Sequence, residues 1–259
     1  MAEAAGQRWS ERALGAGVIL LALAAVELAV RGHQVNAALI PAPTSVAQRV
    51  GQILASGDLL EPLAATLYRL FAAYLAASAL AIVLGLLMGR FGAIHNLLEP
   101  LVEVIRPLPK AALLPPLVLF LGLGDAMKMA VIGLGVFFPV LINTVQGVRG
   151  VDPVLIDTGR SFRCGRLALL LKIVLPAAMP LVLAGMRVAL ALGLILVVIA
   201  EMLAGTGGVG YLIIDMQRSF RVEQMYAWIV ILAVLGYSLN AVFLKLERRV
   251  IAWALARPD

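Results

Sequence analysis

The stretch VDPVLIDTGRSFRCGRLALLLKIVLPAAMP, residues 151–180, carries Asp152, Asp157, Arg160, Arg163, Arg166 and Lys172 among spaced leucines, in a chain that is otherwise apolar enough to dissolve in lipid. It reads as a charged, folded insertion between membrane helices. Asp152 ahead of Pro153 is an N-cap followed by proline at the first helical position, which predicts a helix running to about Phe162. The triplet RCG then marks a turn, with Gly165 as the residue that tolerates unusual backbone angles. A second segment, residues 166–174, aligns Leu167, Leu170, Leu171 and Val174 on one face and is expected to end at Pro176. Helices this short are marginal alone and need a surface to pack against. By themselves the residues allow either a partner-facing element or a connector lying on the bilayer.

Composition sets the class. Hydrophobic residues make up 62% of 259 and charged ones only 14%, too apolar for a soluble domain to cover. Mean hydropathy is +1.00. Runs of about 20 apolar residues, the length that crosses the hydrocarbon core, recur. Six spans are expected, at about 14–30, 63–88, 97–121, 126–145, 180–203 and 226–246, the third interrupted by RPLPK at 106–110 and by Pro115 and Pro116. The first is read as retained rather than cleaved, because its start is too poorly charged and it lacks a cleavage site. Between the first two, Val46, Val50, Ile53 and Leu54 recur at helical spacing beside Gln48, Arg49 and Gln52, predicting an amphipathic surface helix.

Basic residues of short loops orient a membrane chain. With the N-terminus in the cytoplasm, Arg8, Arg12, Arg90, Arg149, Arg160, Arg163, Arg166, Lys172, Lys245, Arg248, Arg249 and Arg257 lie inside, against Arg31, Arg49, Lys128, Arg218 and Arg221 outside. Both termini are therefore expected to be cytoplasmic, and residues 151–180 form the longest cytoplasmic loop. The net charge of +6 reflects this asymmetry rather than nucleic-acid binding. The single cysteine, Cys164, excludes an internal disulfide framework and is read as inert.

Catalytic signatures are missing from the sequence. No glycine-rich loop ends in Gly-Lys-Ser/Thr, so no nucleotide site is expected. The run GTGGVG, residues 205–210, lacks that lysine and reads as a flexible outer turn. His33 and His95 fall in different loops, are expected to be solvated or interfacial, and form no metal-ligand cluster. Intramembrane charges carry more information, because each costs at least about 2.5–3.5 kcal/mol to insert. They are Arg69, Glu99, Glu103, Arg106, Lys110, Arg187 and Glu201; Glu103 and Arg106 are spaced to pair along one helical face. Glu103, Arg106, Lys110, Arg187 and Glu201 are the candidates for a translocation path, against the competing reading that such charges pair and hold helices in register.

Residues 157–176, DTGRSFRCGRLALLLKIVLP, resemble the EAA loop of type I permease subunits of ATP-binding cassette importers: Glu-Ala-Ala, three residues, Gly, nine residues, Ile-x-Leu-Pro. Asp157, Thr158 and Gly159 fall on the opening triplet, and Ile173, Leu175 and Pro176 on the ending. Arg163 replaces the family's glycine, and Gly165 is expected to supply the bend instead. RPLPKAALLPPLVLFLGLGD (106–125), GVFFPVLINTVQGVRGVDP (135–153), VVIAEMLAGTGGVGYLI (197–213) and LERR (246–249) are similar to the branch that imports aliphatic sulfonates, taurine and nitrate.

The resemblance implies an all-α integral membrane protein of six transmembrane helices, in the bacterial cytoplasmic (inner) membrane. Residues 59–249 would form the permease domain, preceded by a tail, first span and amphipathic segment at 1–58 and followed by a cytoplasmic tail at 250–259. It implies a non-catalytic subunit for a small, anionic solute: sulfonate, taurine, nitrate or organic carboxylate. Its partners would be a second permease copy in a homodimer, an extracytoplasmic solute-binding protein, and a cytoplasmic ATPase dimer that binds the ATP and Mg, leaving no cofactor in this chain. The loop would be the coupling helix, formed by Asp157, Thr158, Gly159, Arg160, Phe162, Arg163, Gly165, Ile173, Leu175 and Pro176. Phe162 is the expected anchor, with Leu155 and Leu167 beside it and Asp157, Arg160 and Arg166 at the rim; the competing role for Phe162 is packing the two short helices together. The rival function, a secondary transporter or channel working without an ATPase, commonly shows internal repeats, and no convincing repeat links the halves.

Overall fold

A computed structural model describes residues 2–252, with side chains from residue 14 onward except Ala16. The orientation signals at Arg8, Arg12 and Arg257 lie outside the described side chains, as does most of the expected tail at 250–259. The described chain is helical throughout: α1 (Ala2–Arg31), α2 (Pro43–Ser56), α3 (Leu60–Arg90), α4 (Gly92–Ile105), a 3-10 turn (Lys110–Leu113), α5 (Leu114–Leu121) and α6 (Asp125–Arg149). Then come α7 (Pro153–Ser161), α8 (Arg166–Leu169), a π turn (Leu170–Val174), α9 (Leu175–Ala204), α10 (Val209–Arg218) and α11 (Val222–Val250). Among the described residues four helices are long and apolar enough to cross a membrane, or five if the pair Gly92–Ile105 and Lys110–Leu121, bent by 87°, is one crossing. That bend falls on the expected RPLPK interruption. The first expected span lies within α1.

Two compact units divide the chain, one from the N-terminus to Leu60 with Leu212–Leu232, the other Glu61–Tyr211 with the chain from Ala233 onward. In the second, α3, α6 and α9 pack around a core of Leu70, Tyr74, Met127, Ile132, Val136, Leu141 and Val197. Helices in lipid gain little from apolar burial and associate through close packing. Gly85 and Gly89, four apart on α3, supply that closeness: a Cβ at Gly85 would lie 2.6 Å from Thr144 Cβ, and one at Gly89 2.6 Å from Val148 Cβ, both on α6. Tyr74 adds a hydrogen bond from its hydroxyl to the Met186 carbonyl at 3.0 Å.

One element differs from expectation. The segment after Gly165 does not end at Pro176; α8, the π turn and α9 form a single run, Arg166–Ala204, so the apolar helix expected at 180–203 begins some fourteen residues earlier. Proline has no N–H to donate, and its ring collides with the carbonyl four residues back. The wide π turn just ahead relieves this, with the Leu175 N–H donating to Leu170 O, five residues back, so the helix passes through Pro176 instead of stopping.

In the first unit, the Glu27 carboxylate on α1 caps the N-terminus of α2, accepting from Thr44 N (3.1 Å) and Thr44 Oγ1 (2.8 Å). As expected, α2 is amphipathic, with Val46 buried and Gln48 and Gln52 exposed. Arg49 on α2 pairs with Glu223 of α11 at 3.4 Å.

Three helix ends share one device. After α1, α7 and α10 the chain turns at a left-handed residue, His33 (φ 59), Arg163 (φ 56) and Phe220 (φ 55). Each turn is closed by paired bonds: Gln34 N to Ala29 O with His33 N to Val30 O, Cys164 N to Gly159 O with Arg163 N to Arg160 O, and Arg221 N to Met216 O with Phe220 N to Gln217 O. This is the Schellman C-cap, whose left-handed position normally holds glycine. Here a side chain stands at all three.

Candidate functional site

After α6 the chain folds as the short helix α7, which meets the start of the Arg166–Ala204 run at a corner. Asp152 Oδ1 accepts from Val154 N at 2.8 Å, the cap read from the sequence. Gly159 is buried where α7 meets the following helix, and a Cβ there would overlap Leu169 Cδ1 and Ile173 Cδ1. This is why the third position of the triplet is small. The bend itself is a correction: Gly165 has φ −61 and ψ 159, extended backbone open to any residue, and the left-handed turn is made by Arg163. The replaced glycine position and the left-handed position are therefore the same residue.

The candidate coupling residues fall into two sets. Gly159, Ile173, Leu175 and Pro176 are buried or half-buried, and Gly159 meets Ile173 across the helix pair. Asp157, Thr158, Arg160, Phe162, Arg163 and Gly165 are exposed. Phe162 is 79% exposed, so it does not pack the two helices against each other, and it stands with Val154 (67%), Leu155 (44%) and Leu167 (68%) as an apolar surface. Arg160 Nη1 donates to Asp157 Oδ1 at 2.9 Å at the edge of this surface.

A second constellation lies at the far end of α9. Glu201 is fully buried. Its carboxylate accepts from Arg69 Nη1 (2.7 Å), Thr66 Oγ1 (2.9 and 3.0 Å) and Gly210 N (3.0 Å). Val209 N donates to Thr66 Oγ1 at 2.9 Å, and Arg69 Nη1 also reaches Gly207 O at 2.8 Å. Glu201 thus sits at the N-terminus of α10, where unpaired N–H groups and the helix dipole favour an anion. The run GTGGVG is a fitted cradle and not the loose turn expected: a Cβ at Gly208 (φ +107) would collide with the Glu201 carboxylate, and one at Gly210 would lie 2.5 Å from Val198 O. Arg69 Nε continues to Asp125 Oδ1 (2.8 Å), and the buried Lys128 stands 3.6 Å from the same oxygen. Two cations and two carboxylates balance one another.

Three of the five side chains of that cluster are not found by sequence reasoning, which puts Lys128 outside and singles out neither Thr66 nor Asp125. Their signal is the spacing of three that puts Thr66 with Arg69, and Asp125 with Lys128, on one helical face.

Of the candidate path charges, Glu103 and Arg106 pair at 3.8 Å, as their spacing predicts. With His95, Glu99 and Arg149 they line a cavity of about 220 Å3 between α4 and α6. His95 is not simply solvated there; it contacts Glu99. Lys110 donates to the carbonyls of Ile105, Arg106 and Leu108 at 2.8, 3.1 and 3.0 Å and lies 4.6 Å over the Phe138 ring. Arg106 and Lys110 border a larger, mainly apolar cavity of about 460 Å3 with Phe138, Ile142 and Leu196. Arg187 pairs with Glu247 at 3.6 Å beside a cavity of about 280 Å3. Glu201 lines none of these cavities; it is enclosed in the charge cluster. Among the described residues no group of His, Cys, Asp and Glu is placed to hold a metal ion.

Four helices long and apolar enough to cross a bilayer, packed through glycine contacts and a buried charge cluster, define an integral membrane protein. Residues 81–252 match the family described as binding-protein-dependent transport system inner membrane component, and the chain belongs to that family. Its members are non-catalytic permeases of ATP-binding cassette importers. Over 219 residues it is 32% identical to the putative aliphatic sulfonates transport permease protein SsuC of Bacillus subtilis, covering 85% of this chain and 79% of that protein. Over an alignment of 219 residues it is 31% identical to the taurine transport system permease protein TauC of Escherichia coli, covering 83% of this chain and 80% of that protein. In fold it is similar to a chain of the inward-facing MetNI methionine ABC transporter, with TM-score 0.57 and 18% identity over 71% of this chain and 94% of that one.

Proposed function

We propose that this chain is the six-span permease of an importer for a small organic or inorganic anion, with residues 59–249 as its permease domain, working as a homodimer with both termini in the cytoplasm. Two cytoplasmic ATPase subunits, holding ATP and Mg, seat on the loop at 151–180, and an extracytoplasmic binding protein delivers the solute. The similarity to sulfonate and taurine permeases supports an anionic cargo of this size. Of the path candidates, Glu103, Arg106, Lys110 and Arg187 border cavities, which supports keeping these four.

The observation that carries the coupling role is the exposed Phe162 on a rigidly held corner. Gly159 and the Schellman cap fix the backbone, and the fold leaves Phe162, Leu155 and Leu167 unburied. Exposed apolar residues rimmed by a charged pair are the makings of an interface anchor. Closure of the ATPases would then draw the two loops together and shift the spans between two states. Co-purification with the neighbouring ATPase tests this. Phe162→Ala is expected to weaken association about thirtyfold, as loss of a central anchor does, while the permease still inserts and dimerises. Unchanged association would make the loop a passive connector, and solute uptake without any ATPase would replace the importer by a channel or secondary transporter.

A further inference from the structure

Two contacts between α9 and α11 bracket an open gap. Gly236 of α11 approaches α9 so closely that a Cβ there would lie 3.0 Å from Leu194 Cδ2. Toward the other end, Arg187 Nη1 of α9 stands 3.6 Å from Glu247 Oε2 of α11. Between these contacts the helices part around the cavity of about 280 Å3, walled by Leu190, Ala191, Ile195 and Leu239 with one amide, Asn240. Packed interiors leave few voids larger than a water molecule, so a gap of this size is a place for a guest. Ala191 and Ile195 are exposed, so the gap is open at its side. Its charged end lies at the height of a membrane surface: Arg187 stands about 25 Å along α9 from the Ala204 end, close to the far edge of a hydrocarbon core about 30 Å thick. On α11 the exposed Lys245, Arg248 and Arg249 lie within one turn of Glu247, and no carboxylate among the described residues is within ion-pair distance of them. Four cations, Arg187 included, thus gather around one carboxylate.

We propose that this cavity holds an acyl chain of an anionic glycerophospholipid, whose phosphate accepts hydrogen bonds from Arg187 while Lys245 and Arg248 add positive charge beside it. Basic residues grouped at a helix end next to a crevice between membrane helices attract anionic headgroups. Arg187 suits the role because its side chain is 46% exposed and its one ionic partner lies beyond hydrogen-bond distance, which leaves its planar fork of donors for a phosphate. The wall selects a lipid over a soluble anion: apart from Arg187 and Asn240 it is apolar, which a hydrocarbon tail fills and a small ion does not. Seated there, the chain completes the packing of α11 against α9 where the protein leaves it open. Such a lipid competes with the path role of Arg187, and the test separates the two.

The full-length permease, purified in detergent and stripped of lipid, is titrated with dioleoyl phosphatidylglycerol or with dioleoyl phosphatidylcholine, which has the same chains and no net charge, and bound lipid is counted by native mass spectrometry. The anionic lipid should bind about tenfold more tightly. Arg187→Gln with Glu247→Gln removes both charges, strands neither, and should abolish that preference. Ala191→Phe fills the cavity without touching a charge and should weaken phosphatidylglycerol binding about tenfold while the melting temperature holds. Unchanged phosphatidylglycerol binding in both variants overturns the site, as does equal affinity of the wild type for the two lipids, the mark of ordinary annular lipid. Displacement of the bound lipid by methanesulfonate or taurine would assign the cavity to the solute path. A disulfide joining two copies of Ala191→Cys in native membranes, in a Cys164→Ser background, would seat a second chain there. Either result overturns the proposal.

Discussion

Arg69 Nη1 lies 2.7 Å from Glu201 Oε1, an ion pair between α3 and the end of α9 in which Glu201 has no exposure to solvent. The same carboxylate receives the Gly210 N–H, so one side chain ties two long helices to the start of α10. A buried pair is weak evidence for stability, since desolvation offsets much of its attraction, but removing one partner strands the other.

Glu201→Ala should therefore be strongly destabilising, by about 3–5 kcal/mol, because it leaves the buried Arg69 and Lys128 to share the single carboxylate of Asp125. Glu201→Gln keeps acceptor capacity for Thr66 and Gly210 and should lose less. Thermal unfolding in detergent, followed by size-exclusion fluorescence, orders the two. Equal stability of Glu201→Ala and wild type would remove the cluster from any structural role.

At the α3–α6 contact, Gly85→Ala places a methyl 2.6 Å from Thr144 Cβ. Overpacking of this kind typically costs about 1–3 kcal/mol. Gly133→Ala is the matched control, because its Cβ would meet only Ala77 Cβ at 3.8 Å, an ordinary contact. Melting temperature should fall for the first and hold for the second.

The corner of the coupling loop gives opposite signs at two neighbouring positions. Arg163→Gly removes a left-handed side chain and should stabilise the permease by up to about 1 kcal/mol, the scale of such backbone relief. Gly165→Ala should be close to neutral, since its φ is −61 and nothing lies within 4 Å of an added Cβ. Destabilisation by Gly165→Ala comparable to a glycine forced from the left-handed region would restore Gly165 as the turn residue.

Orientation is checked with cysteine reporters in a Cys164→Ser background. A cysteine at Ser56 should label from outside intact cells, and one at Ser161 only once the inner face is opened. External labelling at Ser161 would reverse the proposed topology.

The membrane class, the helix start at Asp152, the break at RPLPK and the amphipathic α2 were legible in the sequence. Each follows from local chemistry: apolar run length, a capping side chain, prolines, and a period of 3.6. The Glu103–Arg106 pair was legible for the same reason, both residues lying on one face of one helix. The family motif also marks the loop from residue 157 to residue 176 in the sequence.

Tertiary structure decided what depends on residues far apart in the chain. Gly165 looked like the hinge because glycine can adopt a left-handed turn, yet the Schellman bonds from the Cys164 and Arg163 N–H groups to the Gly159 and Arg160 carbonyls place that turn at Arg163. Pro176 looked like a helix end, but the preceding π turn carries the helix through it. GTGGVG looked loose, and became a cradle only because α3 brings Thr66 and Arg69 to Glu201 across more than 130 positions of sequence. Glycines and charges alone do not say which partner they meet; the close approach of α3, α6 and α9 does, because in a lipid-soluble bundle each buried charge is stable only where the fold supplies its counter-charge and donors.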